Sequence, residues 1–172
     1  MALFFPTLYR RRITDVTAGD LRQLGVSGLL LDVDNTLTTH DNPEVAPQVL
    51  EWLRQRRAEG LRLVVVSNNK PERVAPFARQ LELPFQANAG KPLPRGYRAA
   101  AAHLGLPPER CAVIGDQIFT DIVGANLAKM PSILLEPIHP ETEQKFIVFK
   151  RRLERRLLRG KQARRRKEQY GE

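Results

Sequence analysis

Leu29-Leu30-Leu31-Asp32-Val33-Asp34-Asn35-Thr36 runs from three leucines straight into two carboxylates set two residues apart. A short apolar run bounded by polar turn residues reads as a buried strand, and Asp34-Asn35-Thr36 as the loop into which it empties. Open α/β sheets bind ligands just beyond the carboxyl ends of their strands, so both acids fall where a crevice forms. There one carboxylate can attack while its neighbour moves protons, the pairing that phosphoryl transfer uses.

The rest of the chain repeats the strand and helix alternation that builds a parallel sheet with helices on both faces. Thr17 to Leu24 reads as a short helix, with Thr17 as N-cap, Asp20 three residues on and Gly25 past its end. The first core strand is expected over 29–33. A helix starts at Pro47, carries Val49, Leu50 and Leu53 inward and stops near Gly60. Further strands are expected over 61–66, 84–87, 111–114 and 132–135, giving five in all, with helices over 71–81, 94–104 and about 119–127. Pro76 is expected to distort or shorten the helix over 71–81. Trp52 and the single cysteine, Cys111, read as packing residues.

Three more expected strand ends carry matching chemistry. Leu63-Val64-Val65-Val66 runs into Ser67-Asn68-Asn69, which offers a hydroxyl and loop amides able to hold phosphoryl oxygens. Lys91, between Gly90 and Pro92, supplies an ammonium. Gly115-Asp116, with Asp121 five residues on, supplies carboxylates for a hard cation. Each has a plainer reading alone: a turn, a cap, an exposed loop charge. Four of them in order at successive strand ends make coincidence a poor account. A calcium loop of the EF-hand kind is excluded, because its sixth and twelfth positions would be Leu37 and Pro43. His40, His103 and His139 show no metal-ligand spacing.

These segments resemble the four motifs of the haloacid dehalogenase (HAD) superfamily of phosphatases, and more closely its class IIIA, YqeG-like branch, which is similar to phosphatidylglycerophosphate phosphatases. The resemblance runs from about residue 5 to residue 159. It implies a three-layer Rossmann-like α/β fold with a mainly parallel sheet. It also implies that Asp32 is the nucleophile, forming an aspartyl-phosphate, and that Asp34 protonates the leaving oxygen and then deprotonates water. Asn68 and Lys91 would bind the phosphoryl group, and Thr36 and Ser67 would hydrogen-bond that group or the motif loop. Mg2+ would sit between the Asp32 carboxylate, the Asp34 backbone carbonyl and Asp116, with Asp121 orienting Lys91 or a metal-bound water. The motif intervals, Thr36 to Ser67 and Ser67 to Lys91, are each filled by one βα crossover, so no cap domain is expected and the crevice should be open.

Composition bounds the rest. A chain of 172 residues, 42% apolar and 27% charged, suits one domain without a membrane span. The opening Met1-Ala2-Leu3-Phe4-Phe5-Pro6 lacks a basic region before its apolar residues, so a secretory signal is not expected and a cytoplasmic site is the default. Charge is uneven: residues 1–140 hold 16 Lys+Arg against 14 Asp+Glu, and residues 141–172 hold 12 against 5. Residues 1–140 are therefore read as the catalytic core, 141–159 as a basic amphipathic helix and 160–172 as a disordered basic tail. Residues 141–167, with Phe4, Phe5 and Tyr9 ahead of Arg10-Arg11-Arg12 as a second foothold, suit an anionic membrane face. The expected function is Mg2+-dependent hydrolysis of an exposed phosphomonoester such as phosphatidylglycerophosphate. The alternatives are a nucleotide, phosphoprotein or nucleic-acid end as substrate, or an RNA- or ribosome-binding module.

Overall fold

The computed structural model describes residues 3–39 and 44–138. The readings placed on 141–159 and 160–172, a basic helix and a disordered tail, lie outside the described residues.

Six parallel strands form one sheet: β1 (Leu8–Arg10), β2 (Gly28–Leu31), β3 (Arg62–Val66), β4 (Phe85–Gln86), β5 (Cys111–Gly115) and β6 (Ser132–Leu135). Their spatial order is β1-β6-β5-β2-β3-β4. Five α-helices connect them: α1 (Ala18–Leu24), α2 (Pro47–Ala58), α3 (Pro71–Gln80), α4 (Pro94–His103) and α5 (Val123–Ala128). Leu29, Leu31, Leu63, Val65 and Ile114 face a core shared with Leu21 of α1, Trp52 and Leu53 of α2 and Phe77 of α3. Leu30, Val64, Val66 and Val113 face the opposite core with Tyr97 and Ala100 of α4 and Ala125 of α5. Alternate strand residues thus serve opposite faces, and burial on both is why these strands read as unbroken apolar runs.

The expected five strands become six. Leu8–Arg10 pairs with Ile133, Leu134 and Leu135 of β6, so Tyr9 lies in an edge strand and donates to Glu136 Oε1 at 2.9 Å. A three-residue strand whose partner lies more than 120 residues away leaves no local alternation to read. Helix α3 also departs from expectation, since it passes through Pro76 unbroken. The carbonyl deprived of a donor belongs to Glu72, and both residues are exposed, so the lost bond falls on the solvent side of the helix. The expected helix over 119–127 is instead a wide π turn, Ile118–Ile122, leading into α5.

Chain direction reverses between β2 and β5. From β2 the chain moves outward to β3 and β4, then returns to place β5 on the other side of β2 and β6 beyond it. Such a reversal opens a crevice where loops on either side part. Among the described residues, the interval from Thr36 to Ser67 holds α2 and β3, and that from Ser67 to Lys91 holds α3 and β4. Neither holds a cap domain.

Candidate active site

The crevice collects the polar strand ends. Asp32 directly follows β2, and its backbone N–H still donates to the Ile114 carbonyl of β5 at 3.0 Å, so the residue is aimed by the central strand pair. Asp116 follows β5. Both are buried. One oxygen each of Asp32, Asp116 and Asp121 can be chosen so that all lie within 4.8 Å of one another.

Lys91 enters this acidic group from the β4 side. Its side chain is 5% exposed, and Nζ donates to Asp32 Oδ1 at 2.5 Å and to Asp121 Oδ1 at 2.8 Å. Burial would lower the Lys91 ammonium, but the Asp121 and Asp32 charges reverse that and hold it well above its usual value. Asp32 is pushed above the usual carboxylate range by burial, against the pull of Lys91 and with a further push from Asp121. Three buried carboxylates around one ammonium leave a formal excess of negative charge, which favours a cation.

Asp121 reaches Lys91 because the π turn tucks it beneath β5. Its Oδ2 accepts from the Gln117 N–H at 3.1 Å. A Cβ on Gly115 would stand 2.4 Å from the Asp121 carboxyl carbon, so only glycine leaves room for it there. Tyr97, fully buried on α4, donates to the Thr120 carbonyl at 2.9 Å and lies 3.5 Å from Asp121 Oδ1. π turns within helical segments often serve functional sites in this way.

The loop after β2 is wound tightly. Val33 C=O accepts from the N–H groups of Thr36, Leu37 and Thr38, and Asn35 adopts the left-handed conformation at φ 61°, which asparagine tolerates well. This turn returns Thr36 so that Oγ1 donates to Asp32 Oδ2 at 3.3 Å. Asp34 has partners of its own. Its Oδ2 accepts from Asn69 Nδ2 at 2.9 Å and its Oδ1 from Arg73 Nη2 at 3.1 Å, and although it is not one of the three clustered carboxylates, its charge still acts on Asp32.

Ser67 is buried just past the end of β3, where its Oγ accepts from the Asn69 N–H at 3.1 Å. Asn68 serves the lysine rather than the acidic group. Its Oδ1 accepts from the Lys91 N–H at 2.7 Å and its Nδ2 donates to the Lys91 carbonyl at 3.2 Å, a two-point clamp on the backbone that presents the ammonium. Arg73 and Tyr97 are contacts that sequence reading missed, and Asn69, read there as one of the loop amides after β3, also holds Asp34.

The donor set suits a hard divalent cation: carboxylates alone, with no imidazole or thiolate among them. Lys91 Nζ already takes one oxygen of Asp32 and one of Asp121, so an ion in this group would share those two carboxylates with the ammonium. A separate cavity of about 340 Å3, lined by Arg12, Thr36, Thr38, Glu44 and Ile138 among others, adjoins the site. It reaches Thr36 but none of Asp32, Lys91 or Asp116, so it is not where a phosphoryl group would meet them.

Residues 7–129 match the family described as haloacid dehalogenase-like hydrolase. The chain is 35% identical over 156 residues to the protein named "Probable phosphatase YqeG" of Bacillus subtilis strain 168, covering 90% of each. It is 30% identical over 162 residues to the chloroplastic phosphatidylglycerophosphate phosphatase 1 of Chlamydomonas reinhardtii, covering 89% of this chain and 60% of that protein. The cobalt-bound deoxy-D-mannose-octulosonate 8-phosphate phosphatase YrbI of Haemophilus influenzae shares the fold at TM-score 0.52 and 13% identity, over 65% of this chain and 69% of that one.

Proposed function

We propose, from the premise that this chain belongs to the haloacid dehalogenase-like hydrolases and is a phosphatase, that it is a Mg2+-dependent phosphomonoesterase working through an aspartyl-phosphate. The observation that carries the reading is the convergence of Asp32 and Asp116, from the ends of the neighbouring strands β2 and β5, with Asp121 from the π turn and Lys91 from the loop before α4.

Asp32 attacks phosphorus through a carboxylate oxygen. The bond from phosphorus to the ester oxygen breaks, and Asp34 gives that oxygen its proton. Water then attacks the aspartyl-phosphate and loses a proton to Asp34, which releases inorganic phosphate and restores both side chains. Thr36 Oγ1 keeps the nucleophile oriented, and Lys91 offsets the negative charge that gathers on the phosphoryl oxygens. Ser67 offers its hydroxyl to them. Bringing a phosphate dianion to within ~4 Å of a carboxylate costs about 1 kcal/mol per charge pair in water and several-fold more near a protein surface. A divalent ion, which Asp32, the Asp34 backbone carbonyl and Asp116 would hold, would supply the charge that lets the two approach.

The substrate is proposed to be a phosphomonoester projecting from a membrane or another large body, with phosphatidylglycerophosphate first. The kinship with a phosphatase of that lipid, the open crevice and the basic residues beyond 140 support it. A cytoplasmic location against the inner membrane face goes with this substrate. Phosphate release from p-nitrophenyl phosphate and from phosphatidylglycerophosphate vesicles tests the chemistry. Turnover should need Mg2+ and stop with EDTA, and Asp32→Asn should lower it at least ~10^3-fold without lowering the melting temperature. Full activity in EDTA would overturn the metal-dependent reading.

A further inference from the structure

Among the described residues, two cations beside the crevice are placed for different work. Lys91 is buried against Asp32 and Asp121. Arg73, in the first turn of α3, is 46% exposed along its side chain and reaches Asp34 at 3.1 Å. Lys70, just before α3, is exposed beside it. If Asp34 serves the leaving oxygen, as proposed above, Arg73 stands on the leaving-group side of the reacting bond and Lys91 on the phosphoryl side.

We infer that Arg73 is a specificity-determining residue that selects phosphomonoesters whose leaving group carries a second anion. The inference rests on the phosphatase reading. A guanidinium one hydrogen bond beyond Asp34 lies on the order of 6 Å from the leaving oxygen. A phosphodiester separated from that oxygen by a three-carbon spacer sits at roughly the same distance. Arginine is suited to such an anion, because its planar fork pairs with phosphate oxygens two at a time. Releasing Arg73 to the substrate need not disturb Asp34, because Asn69 holds the other carboxylate oxygen at 2.9 Å and is itself fixed by its N–H to Ser67.

The test compares two soluble substrates with the same monoester. One is glycerol 3-phosphate. The other is the deacylated head group, in which glycerol 3-phosphate bears a glycerophosphodiester on its far hydroxyl. The full chain should prefer the second by about tenfold or more in kcat/KM. Arg73→Gln should lower both, but the diester-bearing substrate by at least about tenfold more, mainly through KM, and Arg73→Lys should restore part of that preference. Melting curves of both variants show whether the fold is kept. If Arg73→Gln lowers both substrates by the same factor, Arg73 merely holds Asp34 and the inference fails while the phosphatase reading stands. If the full chain releases phosphate from neither these nor p-nitrophenyl phosphate, both fail together.

Discussion

Lys91 shows how much of one residue's role is legible in sequence and how much is not. An ammonium between glycine and proline in a loop reads as a charge with a purpose, because the expected order of strand ends brings it to the crevice. Its partners are less legible. Only the resemblance brings Asp121 near it, and the π turn that delivers Asp121 leaves no sequence period of its own. Asn68, expected on phosphate, instead clamps the Lys91 backbone, since the direction of a loop side chain depends on the neighbouring strand end. The ion pairs make a definite prediction. Lys91→Met leaves two carboxylates buried without their ammonium, and breaking a buried pair from one side costs about 3–5 kcal/mol. Denaturant unfolding in EDTA should show that loss. Asp121→Asn added to Lys91→Met should cost less than the sum of the two single changes, because the double variant removes a stranded charge. Phosphate release should fall at least ~10^2-fold in Lys91→Met and stay low in the double variant. Additive losses would mean that the two side chains do not share this contact.

Among elements, the central strands and the helices on both faces are the easiest to read. Their apolar residues are buried on two sides, so composition alone marks them, and prolines at the starts of α2, α3 and α4 mark the helices. The edge strand β1 escapes such reading because it is three residues long and, although Leu8 packs on the core, much of what holds it is polar. Two guanidinium nitrogens of Arg10 pair with the two carboxylate oxygens of Asp20 in α1, while Asp20 also caps its own helix by accepting from the Thr17 N–H at 2.9 Å. The hydrogen bonds from Arg10 chiefly hold the Asp20 carboxyl down from 3.8 to about 2, against burial and with help from Thr17. The unfolded chain therefore takes up this proton at higher pH than the folded one. The pair's contribution is complete above about pH 4 and is lost as pH falls toward about 2. Allowing for solvent around the partly exposed Arg10, it amounts to about 1–2 kcal/mol at neutral pH. Asp20→Asn keeps an acceptor for Thr17 and removes the charge. Its deficit against the parent should be present at about pH 7 and disappear as pH falls through about 2 in urea unfolding, and a deficit of the same size at neutral pH and below that value would rule out this titration as its source.

At the scale of the whole molecule, charge is unevenly spread along the chain, and the proposed membrane attachment rests on that unevenness. The 140 residues that contain every strand end used in the site carry nearly balanced charge, with 16 basic against 14 acidic residues, whereas the last 32 carry 12 against 5. A core without strong net charge has little long-range pull toward an anionic surface, and each basic residue close to such a surface adds about 1 kcal/mol at most. Attachment to a membrane should therefore depend on residues 141–172, and turnover of a small soluble ester should not, because every strand end used in the site, and among the described residues both large core clusters, lie within residues 13–135. A chain ending at Pro140 should keep its kcat/KM on p-nitrophenyl phosphate within about threefold. The full chain should sediment with vesicles containing phosphatidylglycerol and come off as salt shortens the screening length from about 8 Å toward about 3 Å, and the shortened chain should stay in the supernatant. Hydrolysis of phosphatidylglycerophosphate in those vesicles should fall with the loss of binding. If instead the full chain ignores the vesicles yet binds RNA through the same residues, the basic segment addresses nucleic acid and the membrane assignment is wrong.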